Sequence, residues 1–251
     1  MLAPFAILFA GCLGGNPSMT PGGAGGQNGS GSGANGATGS GSGSGEIAGC
    51  GKMTFPVNLN QATPNVMLVV DESGSMQDTI PGTNQSKWSS LKSAVQSLLS
   101  SYDGKVNWGL SIFPHPGGQS CTPGQVDVPV GAGTSQTILN ELAPLTDQTI
   151  GGSTPTEQTL QAVQKSGGLD DAAHADYVLL MTDGLPNCGS NGDDVQKAVA
   201  ALYSATPSVR TFVVGIGSET QSNPQTLDGW AQAGHTARMG TPAYYQANNI
   251  T

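Results

Sequence analysis

Three short stretches of the chain place oxygen-bearing side chains where an apolar run ends or a helix begins. "DESGS" (71–75) follows "NVMLVV" (65–70), "TDG" (182–184) closes the apolar run that starts at residue 176, and "GGSTPT" (151–156) leads into an amphipathic stretch. In the first, Asp71, Ser73 and Ser75 offer one charged and two neutral oxygens at alternate positions, a ligand set for a hard cation. Each stretch also has a plain reading. Ser, Gly and Asp are common turn residues, "TPTE" (154–157) spells a capping box, and Asp-Gly is a frequent turn.

The surrounding pattern says which elements would carry these loops. "NVMLVV" is short, continuous and rich in branched side chains, as a strand buried on both faces of a parallel sheet would be. Loops at the carboxyl ends of such strands are where open α/β sheets bind ligands. In the segment 86–102, Trp88, Leu91, Val95, Leu98, Leu99 and Tyr102 recur at three- and four-residue steps and predict a helix. Strands are expected at 105–114, 124–131, 176–184, 209–217 and 237–247, and helices at 135–145, 155–168, 193–204 and 223–234. Pro129 assigns the 124–131 strand to a sheet edge. The helix at 155–168 starts with Pro and ends with Gly, the terminal asymmetry helices prefer. Asp193 and Asp194 read as first-turn charges of their helix. The alternation predicts an α/β fold: a doubly wound, mostly parallel sheet with helices on both faces and one antiparallel edge strand. A closing helix is expected to be missing after "NNIT".

The set and order of the three loops resemble the von Willebrand factor A domain. In that family a metal-ion-dependent adhesion site combines a D-x-S-x-S loop, a threonine from a second loop and an aspartate from a third. Carried over residue by residue, the resemblance implies Asp71, Ser73 and Ser75 in the first loop, Thr154 in the second and Asp183 in the third. Ser153 stands as an extra residue between Gly152 and Thr154, which leaves Thr156 as an alternative to Thr154. The implied cofactor is Mg2+, with Mn2+ or Ca2+ as alternatives. Magnesium keeps several waters in a shallow site with few carboxylates, so a coordination position stays open for a partner's acid. Glu72, between the ligands, is expected to point to solvent. The acid-rich segment 170–176 reads as a solvated loop, with a second calcium site there or around Asp78 left open. Trp88, Trp108 and Trp230 read as core.

Outside this region the composition changes. Residues 13–49 are almost all Gly, Ser, Asn, Ala and Thr with Glu46 as their one charge. They read as a flexible tether of about 30–35 Å root-mean-square reach. The apolar N-terminus is too short to span a bilayer, and Phe9-Ala10-Gly11-Cys12 resembles the bacterial lipoprotein signal, with acylation expected at Cys12. A non-lipidated secretory signal is the alternative. The expected organisation is a signal over 1–12, a tether over 13–50 and one domain over 51–251. An oxidising compartment favours a disulfide between two of Cys50, Cys121 and Cys188. Cys121 and Cys188 both follow predicted strands in Pro/Gly-rich loops, which favours their pairing.

With 17 acids, 8 bases and a net charge of −9, a nucleic-acid partner is not expected. No G-x-S-x-G elbow occurs and no histidine lies in the three loops, so a serine hydrolase is not expected either. The leading expectation is a metal-dependent binding or adhesion module that takes a carboxylate from a protein or peptide. Its membrane contact would run only through the lipid anchor at Cys12, in an outer-membrane or cell-surface location favoured by Leu13. Rival readings are a structural or assembly subunit of an envelope complex and a metal-dependent hydrolase.

Overall fold

In the computed structural model the described residues are 62–218, 220 and 224–247. The signal, the tether, Cys12 and Cys50 lie outside them. Six strands and five helices of regular length are described: β1 (Asn65–Asp71), α1 (Lys87–Ser101), β2 (Asn107–Phe113), β3 (Val126–Gly131), α2 (Ser135–Leu142), α3 (Thr156–Lys165), β4 (Asp176–Thr182), α4 (Gly192–Ser204), β5 (Val209–Ile216), α5 (Pro224–Ala233) and β6 (Tyr245–Ala247). The sheet order is β3-β2-β1-β4-β5-β6. Only β2 and β3 run antiparallel. The expected mostly parallel α/β sheet with one antiparallel edge strand is the observed one.

Every residue of β1 and of β4 is buried. Side chains alternate between faces along a strand, so burial of both alternating sets means that both faces of the sheet are covered. On one face Met67, Val69, Val178, Leu180 and Val213 pack with Leu160 and Val163 of α3, Val195, Val199 and Leu202 of α4, and Leu227 and Trp230 of α5. Val66, Leu68 and Val70 point the other way and are equally buried. Trp88, Leu91, Val95, Leu98 and Leu99 form the buried stripe of α1, and all three tryptophans are core residues, as expected.

Local chemistry sets the helix starts. Ser86 caps α1 by accepting the Ser89 amide at 2.9 Å. Asn191 and Asp194 form a reciprocal capping box on α4, which keeps two amide donors satisfied at its start. The edge strand β3 pairs with β2 through register shifts around Leu110, and Pro129 is exposed there, where its missing N–H costs no ladder bond.

The expected strand over 237–247 is confined to Tyr245–Ala247. Before it, the chain spends its backbone groups locally. The Arg238 amide donates to the Ala243 carbonyl at 2.7 Å, and Asp228 Oδ1 accepts the amides of Ala243 at 2.5 Å and Tyr244 at 3.1 Å. Gly240 at φ 103° turns the corner, a conformation open to glycine.

Strand order places the ligand-bearing loops. From β1 the chain crosses to β2 on one side and later returns to β4 on the other side of β1. The carboxyl ends of β1 and β4 therefore border the switch point, the crevice where open α/β sheets bind. Asp71 ends β1 and Asp183 follows the last residue of β4.

Candidate metal centre

Asp71 is completely buried. Its Oδ1 accepts the Ser73 amide at 2.9 Å and its Oδ2 accepts the Thr182 hydroxyl at 2.6 Å. Past Ser73 the loop tightens into a 3-10 turn over Gly74–Gln77, pinned by the buried Met76. The Ser73 and Ser75 hydroxyls lie 3.2 Å apart, and Ser75 donates to Asp183 Oδ1 at 2.8 Å. Asp71, Ser73, Ser75 and Asp183 thus form one connected group of oxygens drawn from two strand ends.

Thr154 is held next to this group by its main chain. The Gly74 amide donates to Gly152 O at 3.0 Å and the Gly151 amide to Glu72 O at 3.0 Å, which clips the first loop to the second. The Thr154 amide donates to Asn187 Oδ1 at 2.6 Å and the Asn187 amide returns to Thr154 O at 3.1 Å, which clips the second to the third. The capping-box reading of Thr154 does not apply, because Pro155 is the cap residue of α3 and no side chain caps that helix. The alternative, Thr156, is fully buried, and its hydroxyl has no hydrogen-bond partner among the described residues.

Cys121 and Cys188 form the expected disulfide, with Cα atoms 5.6 Å apart. It ties the loop after β2 to the loop after β4, and Ser153 adds a bond from its amide to Ser120 O at 2.9 Å. A crosslink of this kind contributes about 2–4 kcal/mol to stability. The disulfide thus anchors the loop that carries Asp183, and the Ser153 bond brings the loop that carries Thr154 to the same anchor.

Two charged residues of the site have no role in the expectations from sequence. Lys87, the first residue of α1, is completely buried and donates from Nζ to Asp183 Oδ2 at 2.9 Å and to Ser75 O at 3.3 Å. Asp78 Oδ2 lies 3.6 Å from the same ammonium. Glu72, expected in solvent, is buried, with 4% of its surface exposed. The reason is main-chain pairing that continues one residue beyond β1: the Glu72 amide donates to Phe113 O at 2.7 Å. This holds the chain extended and turns Glu72 away from Asp71, toward the loop after β2.

Burial, reinforced by the Asp183 carboxylate and opposed by the bonds from Thr182 and Ser73, pushes the Asp71 carboxyl up to about 7. Burial, with Asp127 and Asp71 nearby, pushes Glu72 up to about 8. Both groups hold protons in the fold at pH values where the unfolded chain has released them. Stability from this source is therefore fully present below about pH 4 and is lost as pH rises through 7 to 8. In chelator, the thermal midpoint should fall between pH 5 and pH 8. A divalent ion, which favours the ionised carboxylates, should flatten that decline. Melting curves across a pH series with and without Mn2+ check this, and a midpoint that rises over the same interval in chelator contradicts it.

The donor set fits a hard divalent cation. All of its atoms are oxygens and two of its residues are acids, one of which, Asp183, is bonded to the Lys87 ammonium. Among the described residues no group of three or more His, Cys, Asp or Glu side chains is arranged to hold a metal. The segment 170–176 and Asp78 therefore supply no second calcium site of that kind. Asp171 instead pairs with His174 at 2.8 Å, and Asp176 is buried, accepting from Asn65 Nδ2 at 2.9 Å.

An open, mostly parallel sheet that gathers hydroxyls and two carboxylates at its switch point defines a class of α/β domain whose loops carry an oxygen-lined site. The family model for the von Willebrand factor type A domain matches residues 65–242, and the chain belongs to that family. The uncharacterized protein YwmC of Bacillus subtilis is 31% identical over 140 residues, which cover 52% of this chain and 59% of YwmC. The chain thus matches little more than half the length of that relative. Among solved structures, the manganese-loaded TRAP protein of Plasmodium vivax superposes with a TM-score of 0.51 at 24% identity, covering 72% of this chain and 67% of that one. Proximal thread matrix protein 1 of the mussel byssus, with a zinc-occupied MIDAS motif, gives 0.53 at 16% identity over 76% and 45% of the two chains. Likeness at these identities establishes the fold.

Proposed function

We propose that this chain is a metal-dependent protein-binding module, in which Asp71, Ser73, Ser75, Thr154 and Asp183 hold one divalent cation. Mg2+ is the expected ion, with Mn2+ or Ca2+ as alternatives. The observation that carries the reading is the contact chain from Asp71 and Ser73 through Ser75 to Asp183 across the switch point of the sheet. The fold relatives loaded with manganese and zinc support a divalent ion at such a position. When bound, the ion supplies a Lewis-acidic position that accepts a carboxylate oxygen from a partner.

The residues have distinct tasks. Ser73 and Ser75 offer neutral hydroxyls, while Asp71 and Asp183 supply charge from positions fixed by Thr182 and Lys87. Two acids only just neutralise a dication, and the Lys87 ammonium beside Asp183 offsets part of their charge, so the site can accommodate an incoming acid. The Ser75 hydroxyl donates to a carboxylate rather than to an imidazole, an arrangement suited to ligation and not to nucleophilic attack. Leu185, two residues beyond Asp183 and 44% exposed, adds an apolar contact for the partner. No helix among the described residues is long and apolar enough to cross a membrane. The lipoprotein-type signal ending at Cys12 and the Gly/Ser-rich tether support attachment to the bacterial envelope through a lipid, at the outer membrane or cell surface.

Selection of a random peptide display library on the immobilised protein in Mn2+ tests this function. The retained peptides should be enriched in Asp or Glu, and each should lose binding in chelator and on replacement of its acid by the amide. Retained peptides with no required acid would overturn the reading.

A further inference from the structure

Next to the metal centre lies a cleft of about 330 Å³ that none of the proposed metal ligands lines. Its walls include Glu72, His115, Gly117, Ser120, Thr149 and Gly152. The glycines leave main-chain groups, not side chains, on much of this surface. Gly152, at φ 96°, would carry a side chain only under strain, since a Cβ there would lie 3.0 Å from the Pro114 ring and 3.2 Å from Ser120 O. The cleft therefore keeps its width by the absence of side chains.

One acid, Glu72, lines it. Glu72 is 96% buried, and its Oε2 has no hydrogen-bond partner among the described residues. Asp127 of β3 lies near Glu72 without lining the cleft, and its Oδ2 already accepts the Ile112 amide at 2.8 Å. His115 Nδ1 lies 3.7 Å from Asp127 Oδ1, within ion-pair reach, and makes no hydrogen bond among the described residues. A buried carboxyl oxygen without a donor is destabilising unless a ligand reaches it. Its wall holds no Lys or Arg, and its one basic side chain, His115, faces Asp127.

We infer that this cleft is a second recognition subsite that takes the guanidinium of a partner arginine, with Glu72 as its principal acceptor. A guanidinium carries five N–H donors in a planar fork, matching a carboxyl better than an ammonium does, and its charge favours the ionised form of Glu72 over the protonated one. Glu72 lies between Asp71 and Ser73 in the chain, and the Gly151-Gly152 wall continues into Thr154. A partner placing an acid on the metal would therefore place a neighbouring basic residue at the cleft. This pairing of acid and base rests on the metal-site reading; the cleft itself does not.

The probe is N-acetyl-arginine amide, which has no carboxylate, with the neutral isostere N-acetyl-citrulline amide as control. Amide resonances of residues 72, 117–119, 151 and 152 in the intact protein should show saturable shifts with the arginine probe. The citrulline probe should bind at least tenfold more weakly. Glu72→Gln should weaken arginine binding about tenfold while resonances of β4 and β5 and the melting curve report an intact fold. Equal binding of the two probes, no saturable shift at these amides, or no effect of Glu72→Gln would overturn the inference. In Asp71→Ala the arginine probe should still bind although the metal response is gone, so failure of the metal reading and failure of the cleft are told apart.

Discussion

Asp71→Ala should abolish the stabilisation that divalent ions give to the wild-type domain. For the wild type, an ion at one hundred times its dissociation constant adds about 2.7 kcal/mol. For a domain of roughly 180 residues that is a rise of about 5–10 °C in the thermal midpoint. In Asp71→Ala the rise should drop to near zero, because the variant lacks one of the two acids and the group that orients the Ser73 amide and the Thr182 hydroxyl. Differential scanning calorimetry in Mn2+ and in chelator reads this directly. A midpoint that still rises by several degrees in Asp71→Ala would place the ion elsewhere.

Lys87→Met should have the opposite consequence for metal and a large cost without it. In the fold the Lys87 ammonium and the Asp183 carboxylate are both buried and lie 2.9 Å apart. Removing one member of such a pair leaves the other charge without compensation and destabilises by about 3–5 kcal/mol. That loss should appear in chelator as a lower denaturation midpoint in urea. A dication in the site would then restore much of it, since it replaces the missing positive charge and no longer meets a like charge beside Asp183. The metal-induced stabilisation of Lys87→Met should exceed that of the wild type. Unchanged stability in chelator, or a smaller metal response than wild type, would contradict the role assigned to this ion pair.

These two residues also mark the limit of what the chain alone reveals. Asp71 is legible because its context is local: an apolar strand ends, and acid and hydroxyls follow at alternate positions. Asp183 is legible for the same reason at the end of β4. Lys87 is not, because nothing near it distinguishes it from a solvated lysine at a helix start. Its partner lies 96 residues away, and only the strand order brings the two together.

The burial of Glu72 is hidden from the sequence on similar grounds. An acid in a polar loop ordinarily faces water, but the main-chain bond to Phe113 O extends β1 by one residue and carries the side chain inward. The last strand shows the same competition between local and distant partners. Periodicity extended it over 237–247, whereas Asp228 captures the amides that a longer strand would have needed. The elements read correctly from sequence were those whose apolar pattern is continuous over a whole strand or a helical face. The Cys121–Cys188 bond was legible because both residues follow strands at the same end of the sheet.

The proposed function depends on a cation held by Asp71, Ser73, Ser75, Thr154 and Asp183 with a position left for another molecule. The most direct measurement is the anomalous scattering of crystals grown with Mn2+. One manganese peak bounded by these side chains is expected, with at least one coordination position occupied by solvent or by an added carboxylate. A lattice containing Mn2+ at saturating concentration with no peak there, or a peak whose coordination is completed by the protein alone, would contradict it.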